Sequence, residues 1–238
     1  MSNTSNAGRV LRVGIFFDGT ANNQFNSLQG QQRQEQGLMI DAGSSYAGVP
    51  TNIARLHQCY PVQSGFDPAG CAVTSLYIGG IGTTTGGPDT PFPGQTYGRG
   101  KTGVLGKHFV ALLSPQTLNR LQLDLFGFSR GAAAARHFVN LFNADGLKTQ
   151  LALAADFECA IHFIGLFDTV AAMGGLEDWG DVGDDVNPGL NLYLSPDCAQ
   201  QVVQLSARDE QRRNFSLTRI APQWPMDVAV PGAHADGG

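Results

Sequence analysis

Six short apolar runs punctuate the chain: LRVGIFF (11–17), AVTSLYIGGIG (72–82), LQLDLFGFS (121–129), AIHFIGLFD (160–168), QVVQLSA (201–207) and MDVAVPG (226–232). Their length, their β-branched and aromatic content and the Gly, Pro and Asp residues that bound them predict strands. Patterns of helical period lie between several of them, at TNIARLHQCY (51–60), at KHFVALLSPQTLNRL (107–121) and from Arg130 onward. Strands that alternate with helices need crossover connections. The pattern therefore predicts an α/β domain, a mostly parallel sheet with helices on both faces.

Three polar segments interrupt this alternation: 22–50, rich in Gln, Asn, Ser and Gly; 83–106, rich in Gly and Pro; and 174–200, acidic with Gly and Pro. Loops longer than about 12–15 residues are uncommon unless they act as lids, binding loops or links. They are expected around one face, at the carboxyl ends of the strands. No internal repeat is visible, and a chain of 238 residues is expected to form one domain over 1–238.

Composition narrows the function classes. Apolar residues make up 42% and charged residues 15%, which argues for a packed interior. A net charge of −5 offers no basic stripe to a phosphate backbone, so no nucleic-acid partner is expected. No apolar run approaches the roughly 20 residues that span a bilayer. The N-terminal MSNTSNAGRVLRVG lacks the apolar core of a signal peptide, so synthesis in the cytoplasm without one is expected. The cysteines (Cys59, Cys71, Cys159, Cys198) are scattered with no pair at metal-ligand spacing, and are expected to be packed free thiols. Neither a metal nor a cofactor is called for.

The stretch LDLFGFSRGAAAARHFVN (123–140) passes from an apolar strand pattern to an alanine-rich helix without a connecting loop. Gly127-Phe128-Ser129-Arg130-Gly131 fits G-x-S-x-G, the sharp turn that exposes a nucleophilic serine. Side chains at Gly127 and Gly131 would collide with the neighbouring strand and helix. The blander reading makes Ser129 a helix cap. A serine hydroxyl needs a base, and the base a carboxylate to hold its tautomer.

In hydrolases of this type the acid follows the serine and the histidine follows the acid. His234, in PGAHADGG after the apolar run MDVAV, is placed as a base at a strand end. His162 lies within a strand pattern, and His57, His108 and His137 lie in helical ones, where packing or surface roles are expected. Asp168 ends the strand after the nucleophile's helix and is the preferred acid; it could instead cap the next turn, and Asp197, Asp227 and Asp236 remain rivals. An oxyanion needs two amide donors: one from Arg130, the other from Gly19 or Thr20 in the loop opened by Asp18.

Two other motifs fail on single residues. A haloacid-dehalogenase signature D-x-D-G-T would need Asp where Phe16 stands, and a P-loop through GRGKTG (98–103) would need Gly where Gln95 stands.

The ordered blocks FFDGTANN, TNIARL, YIGGIGT, GFSRGAAAAR, FIGLFDTV, ARDEQRRNF and PGAHADGG resemble the α/β-hydrolase domain DUF2235 of type VI secretion lipase effectors of the Tle1 class, from about residue 11 to the end. That resemblance implies phospholipase A activity on bacterial membrane glycerophospholipids. It also implies export on a secretion spike protein into a target cell's periplasm, and a cognate immunity protein. By motif the nucleophile falls on Ser129, the acid on Asp168 and the base on His234. Members extend well past the PGAHADGG block, whereas this chain ends four residues after His234, so an incomplete C-terminus, completed by a remaining C-terminal part, is expected. The expectation is a serine esterase without a metal. The alternatives are a non-catalytic interaction module on the same scaffold or a hydrolase of small soluble esters; a membrane-docking surface is sought in 83–106 or in sequence beyond this chain.

Overall fold

Along β1 (Val10–Phe17) the residues Leu11, Val13, Ile15 and Phe17 share one core cluster, while Phe16 belongs to another. Alternate residues of a strand point to opposite faces, so burial of both sets requires cover on each side of the sheet. Helix α3 (Arg130–Asn143) supplies the first cover through Ala132, Ala135, Phe138, Val139 and Phe142. Helix α2 (Asn52–Cys59) supplies the second through Ile53, which packs with Phe16 and Phe128. Each large apolar side chain fully buried in this way contributes roughly 1.5–3 kcal/mol. The computed structural model describes residues 9–90, 118–144, 157–171, 190–212, 215–220, 224 and 226–238.

The remaining strands are β2 (Cys71–Ile78), β3 (Arg120–Phe128), β4 (Glu158–Phe167), β5 (Gln201–Ala207) and β6 (Asp227–Val230). With β1 they form, among the described residues, a six-stranded sheet in the order β2-β1-β3-β4-β5-β6, every neighbouring pair parallel. This is an α/β-hydrolase-like fold, and all six strands fall on the six apolar runs. The chain steps from β1 outward to β2, then crosses back to β3 and continues the other way. That reversal opens a crevice beyond the carboxyl ends of β1 and β3, where open parallel sheets place their ligands.

Two sequence expectations are corrected. Segment 22–50 is not all loop, because α1 occupies Gln24–Glu35. Its signal is a cap and not an apolar stripe: the Asn23 side chain accepts hydrogen bonds from the Phe25 and Asn26 amides. Its inner face is polar, with Asn26 donating to Ser45 Oγ (2.9 Å) and the Thr84 carbonyl (3.0 Å). The helix expected over 107–121 cannot reach its end, because β3 begins at Arg120; residues 107–117 lie outside the described residues, as do 91–106, 172–189 and His108. Residues 83–90 and 190–200 carry turns without a helix or strand. No described helix is long and apolar enough to cross a membrane.

Arg136, in the middle of α3, is fully buried. Its guanidinium donates to the carbonyls of Leu192 (2.6 Å) and Thr218 (3.0 Å), tying the helix to two segments of irregular backbone. All four cysteines are free thiols; Cys198 is buried, and burial pushes its thiol up to about 11, whereas Cys59 is exposed rather than packed.

Candidate active site

Ser129 follows the last residue of β3 and precedes the first of α3, with φ 56° and ψ −127°. Such a backbone costs a non-glycine residue on the order of 1–3 kcal/mol and persists only where neighbours fix it. Here the Ser129 amide donates to the Phe167 carbonyl (3.0 Å), and the Ser129 carbonyl accepts from Ala132 (3.0 Å), Ala133 (3.2 Å) and Val170 (3.3 Å). The two flanking glycines are required for space. A Cβ on Gly127 would stand 2.6 Å from Ala132 Cα, and one on Gly131 would stand 2.3 Å from the Phe17 carbonyl oxygen. Ser129 is the N-cap residue by position, yet its side chain makes no capping hydrogen bond. Its Oγ lies 2.8 Å from His234 Nε2.

Asp168 follows β4, also at positive φ (44°). Its amide donates to the Leu205 carbonyl (2.7 Å), and its Oδ1 accepts from the Ala207 amide (2.9 Å), so β5 fixes the carboxylate on both sides. The other oxygen, Oδ2, lies 2.5 Å from His234 Nδ1. A carboxylate there selects the tautomer protonated at Nδ1 and leaves Nε2 free to accept the Ser129 proton. All three side chains are buried, at 5% (Ser129), 1% (Asp168) and 4% (His234) exposure.

His234 arrives just after β6, at the start of a 3-10 helix (His234–Gly237). Its ring packs between Phe128 and Phe215, with ring centroids 4.8 Å away on each side. The loop is held by carboxylates: Asp209 accepts from the Gly232 amide (2.8 Å), Asp236 from the Ala233 amide (2.8 Å), and Glu210 from the His234 amide (3.1 Å). Arg212 in turn grips Glu210 through Nε (2.9 Å) and Nη2 (2.6 Å) and lies over the Phe215 ring. The Arg212 hydrogen bonds hold the Glu210 carboxyl far below its ordinary range. Sequence reasoning assigned no role to Glu210, Arg212 or Phe215. The clustered charges of RDEQRR directly after a strand were the available signal.

The rival acids are otherwise engaged or remote. Asp227 accepts from Ser206 Oγ (2.6 Å), Asp236 closes the turn beneath His234, and Asp197 is exposed. His57 pairs with Gln24 and packs edge-on to Phe16, and His137 Nδ1 accepts from the Asn191 amide (3.1 Å). His162 lies on the sheet 3.5 Å from Asp124. Asp18 works as a brace at the end of β1, accepting from Thr51 Oγ1 (2.9 Å), Tyr77 OH (2.5 Å) and the Gly19 amide (2.8 Å). Burial, reinforced by the Asp18 charge, drives the Tyr77 phenol far above its ordinary range, so it donates and does not ionise. The expectation for Gly19 is therefore corrected: its N–H is already spent on Asp18. Thr20 is left as the candidate on this loop, and its Oγ1 is buried without a hydrogen-bond partner among the described residues.

Thr20, Ser129, Arg130 and His234 line one open cleft of about 410 Å³ at the carboxyl edge of the sheet. Among the described residues no three His, Cys, Asp or Glu side chains gather as a metal site would require.

Fold and site together define an α/β-hydrolase-like domain with a hydrogen-bonded Ser-His-Asp relay at a strained strand-to-helix turn. No family model and no curated protein matches the chain. Among solved structures it is similar to a Tle1 effector bound to the VgrG spike of the type VI secretion system, at 31% identity and a TM-score of 0.68, over 96% of this chain and 51% of that one. An uncharacterized protein from Pseudomonas aeruginosa shares the fold at 21% identity and a TM-score of 0.58, over 98% of this chain and 42% of that one. The chain thus spans about half the length of the structures it matches.

Proposed function

We propose that this chain is the catalytic domain of a serine esterase of the phospholipase A type, acting on membrane glycerophospholipids as an antibacterial type VI secretion effector. The observation that carries the chemistry is the continuous contact from Ser129 Oγ through His234 to Asp168. Ser129 attacks the ester carbonyl while His234 Nε2 takes its proton. Asp168 holds the ring and balances the imidazolium that forms. The tetrahedral oxyanion is received by the Arg130 amide and by Thr20, at a helix N-terminus where negative charge is favoured. His234 returns the proton to the leaving alcohol, and water then releases the acyl group by the same steps in reverse roles.

The lipid substrate, a spike protein as carrier, an immunity protein and action in a target periplasm rest on likeness to the effector–spike structure. The matched half-length supports a further part of the same protein beyond this domain. A histidine remote from the serine would have favoured a non-catalytic module; the 2.8 Å separation supports the esterase reading instead.

The test is hydrolysis of p-nitrophenyl esters and of phospholipid vesicles by wild type and Ser129→Ala, with fluorophosphonate labelling mapped by mass spectrometry. Loss of at least 10³-fold in the variant and a label on Ser129 are expected; equal rates, or a label elsewhere, reject the assignment.

A further inference from the structure

The cleft beside Ser129 holds an unmatched guanidinium, Arg130, in a chain that is acidic overall. The chain carries 20 Asp and Glu against 15 Lys and Arg. Yet the described residues lining this cleft include Arg130 and Arg212 and no Asp or Glu side chain. Arg130 sits half-buried directly after the serine, and its guanidinium makes no hydrogen bond or ion pair among the described residues. Burial alone lowers its pKa, with no neighbouring anion to offset the cost. A guanidinium keeps its charge in a protein, so a half-buried one without an acceptor calls for an anion from outside.

Arg212 differs in being held. Its Nε and Nη2 are fixed on Glu210, and the plane rests 4.1 Å from the centre of the Phe215 ring, so its direction is set before any ligand arrives. Its Nη1 edge makes no hydrogen bond among the described residues. A planar fork fixed on one edge and open on another suits a tetrahedral oxyanion with several acceptor oxygens.

We propose that Arg130 and Arg212 form an anion subsite that receives a phosphate group carried by the ester substrate, next to the scissile bond. It rests on the esterase reading for its neighbour Ser129 but makes a separate claim about binding. A glycerophospholipid brings its phosphodiester within a few bonds of an acyl ester, so one cleft lined by Ser129, Arg130 and Arg212 meets both groups. A neutral diacylglycerol would leave the Arg130 charge unmatched.

Binding is measured by calorimetry on the whole chain carrying Ser129→Ala, with two short-chain probes that cannot be hydrolysed: a dialkyl glycerophosphate diether and the matching dialkyl glycerol. The phosphate diether is expected to bind about tenfold more tightly or better, as a charge-assisted contact in a partly buried site allows. Arg130→Gln and Arg212→Gln should each shrink that ratio severalfold, and Arg130→Lys should keep most of it, which separates lost charge from lost folding. Inorganic phosphate alone should bind far more weakly than the phosphate diether. Equal affinity for the two diethers overturns the subsite, as does a ratio unchanged in both glutamine variants. Inorganic phosphate binding as tightly as the diether would mark a site for the free ion and overturn the substrate-borne reading. Absent ester hydrolysis with the diether preference intact would reject the esterase and leave the subsite standing.

Discussion

Replacing Asp168 by Asn changes one atom and tests the relay at its most informative point. The carboxylate uses Oδ1 to accept from the Ala207 amide (2.9 Å) and Oδ2 to face His234 Nδ1 (2.5 Å). In the variant the carbonyl oxygen is drawn to the Ala207 N–H, because leaving that amide facing an NH₂ group would bury two donors against each other. The NH₂ then points at Nδ1 and selects the tautomer protonated at Nε2. That proton faces Ser129 Oγ across 2.8 Å, so the base is blocked before any reaction starts.

Triad enzymes lose roughly 10⁴-fold in turnover when the acid becomes an amide without loss of geometry. At 1.36 kcal/mol per decade, that is about 5.5 kcal/mol of barrier. Stability should change far less, by about 1 kcal/mol, because the shape and the Ala207 contact survive. Asp168→Asn is therefore expected to melt close to wild type while its kcat/KM on a p-nitrophenyl ester falls by about 10⁴, with the rate of fluorophosphonate labelling falling in parallel. A variant within tenfold of wild type would refute the relay, as Asp168 would then be a strut for β5 and nothing more.

Other consequences follow from neighbouring contacts. Gly131→Ala places a methyl 2.3 Å from the Phe17 carbonyl oxygen and 2.4 Å from that of Asp18, both backbone, so the gain of about 1 kcal/mol in helix propensity is outweighed; urea unfolding should show a net loss of at least about 2 kcal/mol. Arg136→Met leaves the carbonyls of Leu192 and Thr218 without their buried donor, and a loss of about 3 kcal/mol in the same assay is expected. Glu210 gives a pH signature. Its carboxyl is held below its ordinary value of 4.5, so its contribution is complete above that pH and is lost as pH falls through the lower folded value. The melting-temperature gap between wild type and Glu210→Gln should stay constant from pH 7 to about 5 and narrow only below about 4.5; a gap that narrows above pH 5 would contradict the sign.

The strands were legible because their apolar runs are continuous. A sheet covered on both faces hides both sets of alternating residues, and this leaves a strong mark in the sequence. The serine turn was equally plain, since close approach of α3 to the end of β1 leaves no choice but glycine at 131. Helix α1 was hidden for the opposite reason: it packs through Asn26 and Ser27 against the loop carbonyls of Thr84 and Ser45, so its face has no apolar period to detect. Gly19 and Thr20 were equivalent in sequence because both follow Asp18, and only the curl of the Asp18 carboxylate onto the Gly19 amide tells them apart. The clamp of Asp209 and Glu210 on the loop of His234 joins residues 23 and 24 positions apart through the Gly232 and His234 amides, a pairing that side-chain chemistry does not announce.

The relay is assembled from parts of unequal rigidity. Ser129 and Asp168 both sit at positive φ at the ends of the neighbouring strands β3 and β4. They are stapled by main chain, because Ser129 donates to Phe167, the residue before Asp168, and accepts from Val170 beyond it. Strain at each therefore has the other as its support, on the two central strands of the sheet. His234 comes instead from the edge of the sheet, after a strand of four residues, and depends on Asp209, Glu210 and Asp236 for its backbone. Edge elements with few buried apolar contacts open at lower free energy than central ones. The base, not the nucleophile, is thus the part of the relay that local opening removes first, and a loss of the carboxylate clamp should silence the site while the sheet that carries Ser129 and Asp168 stays folded.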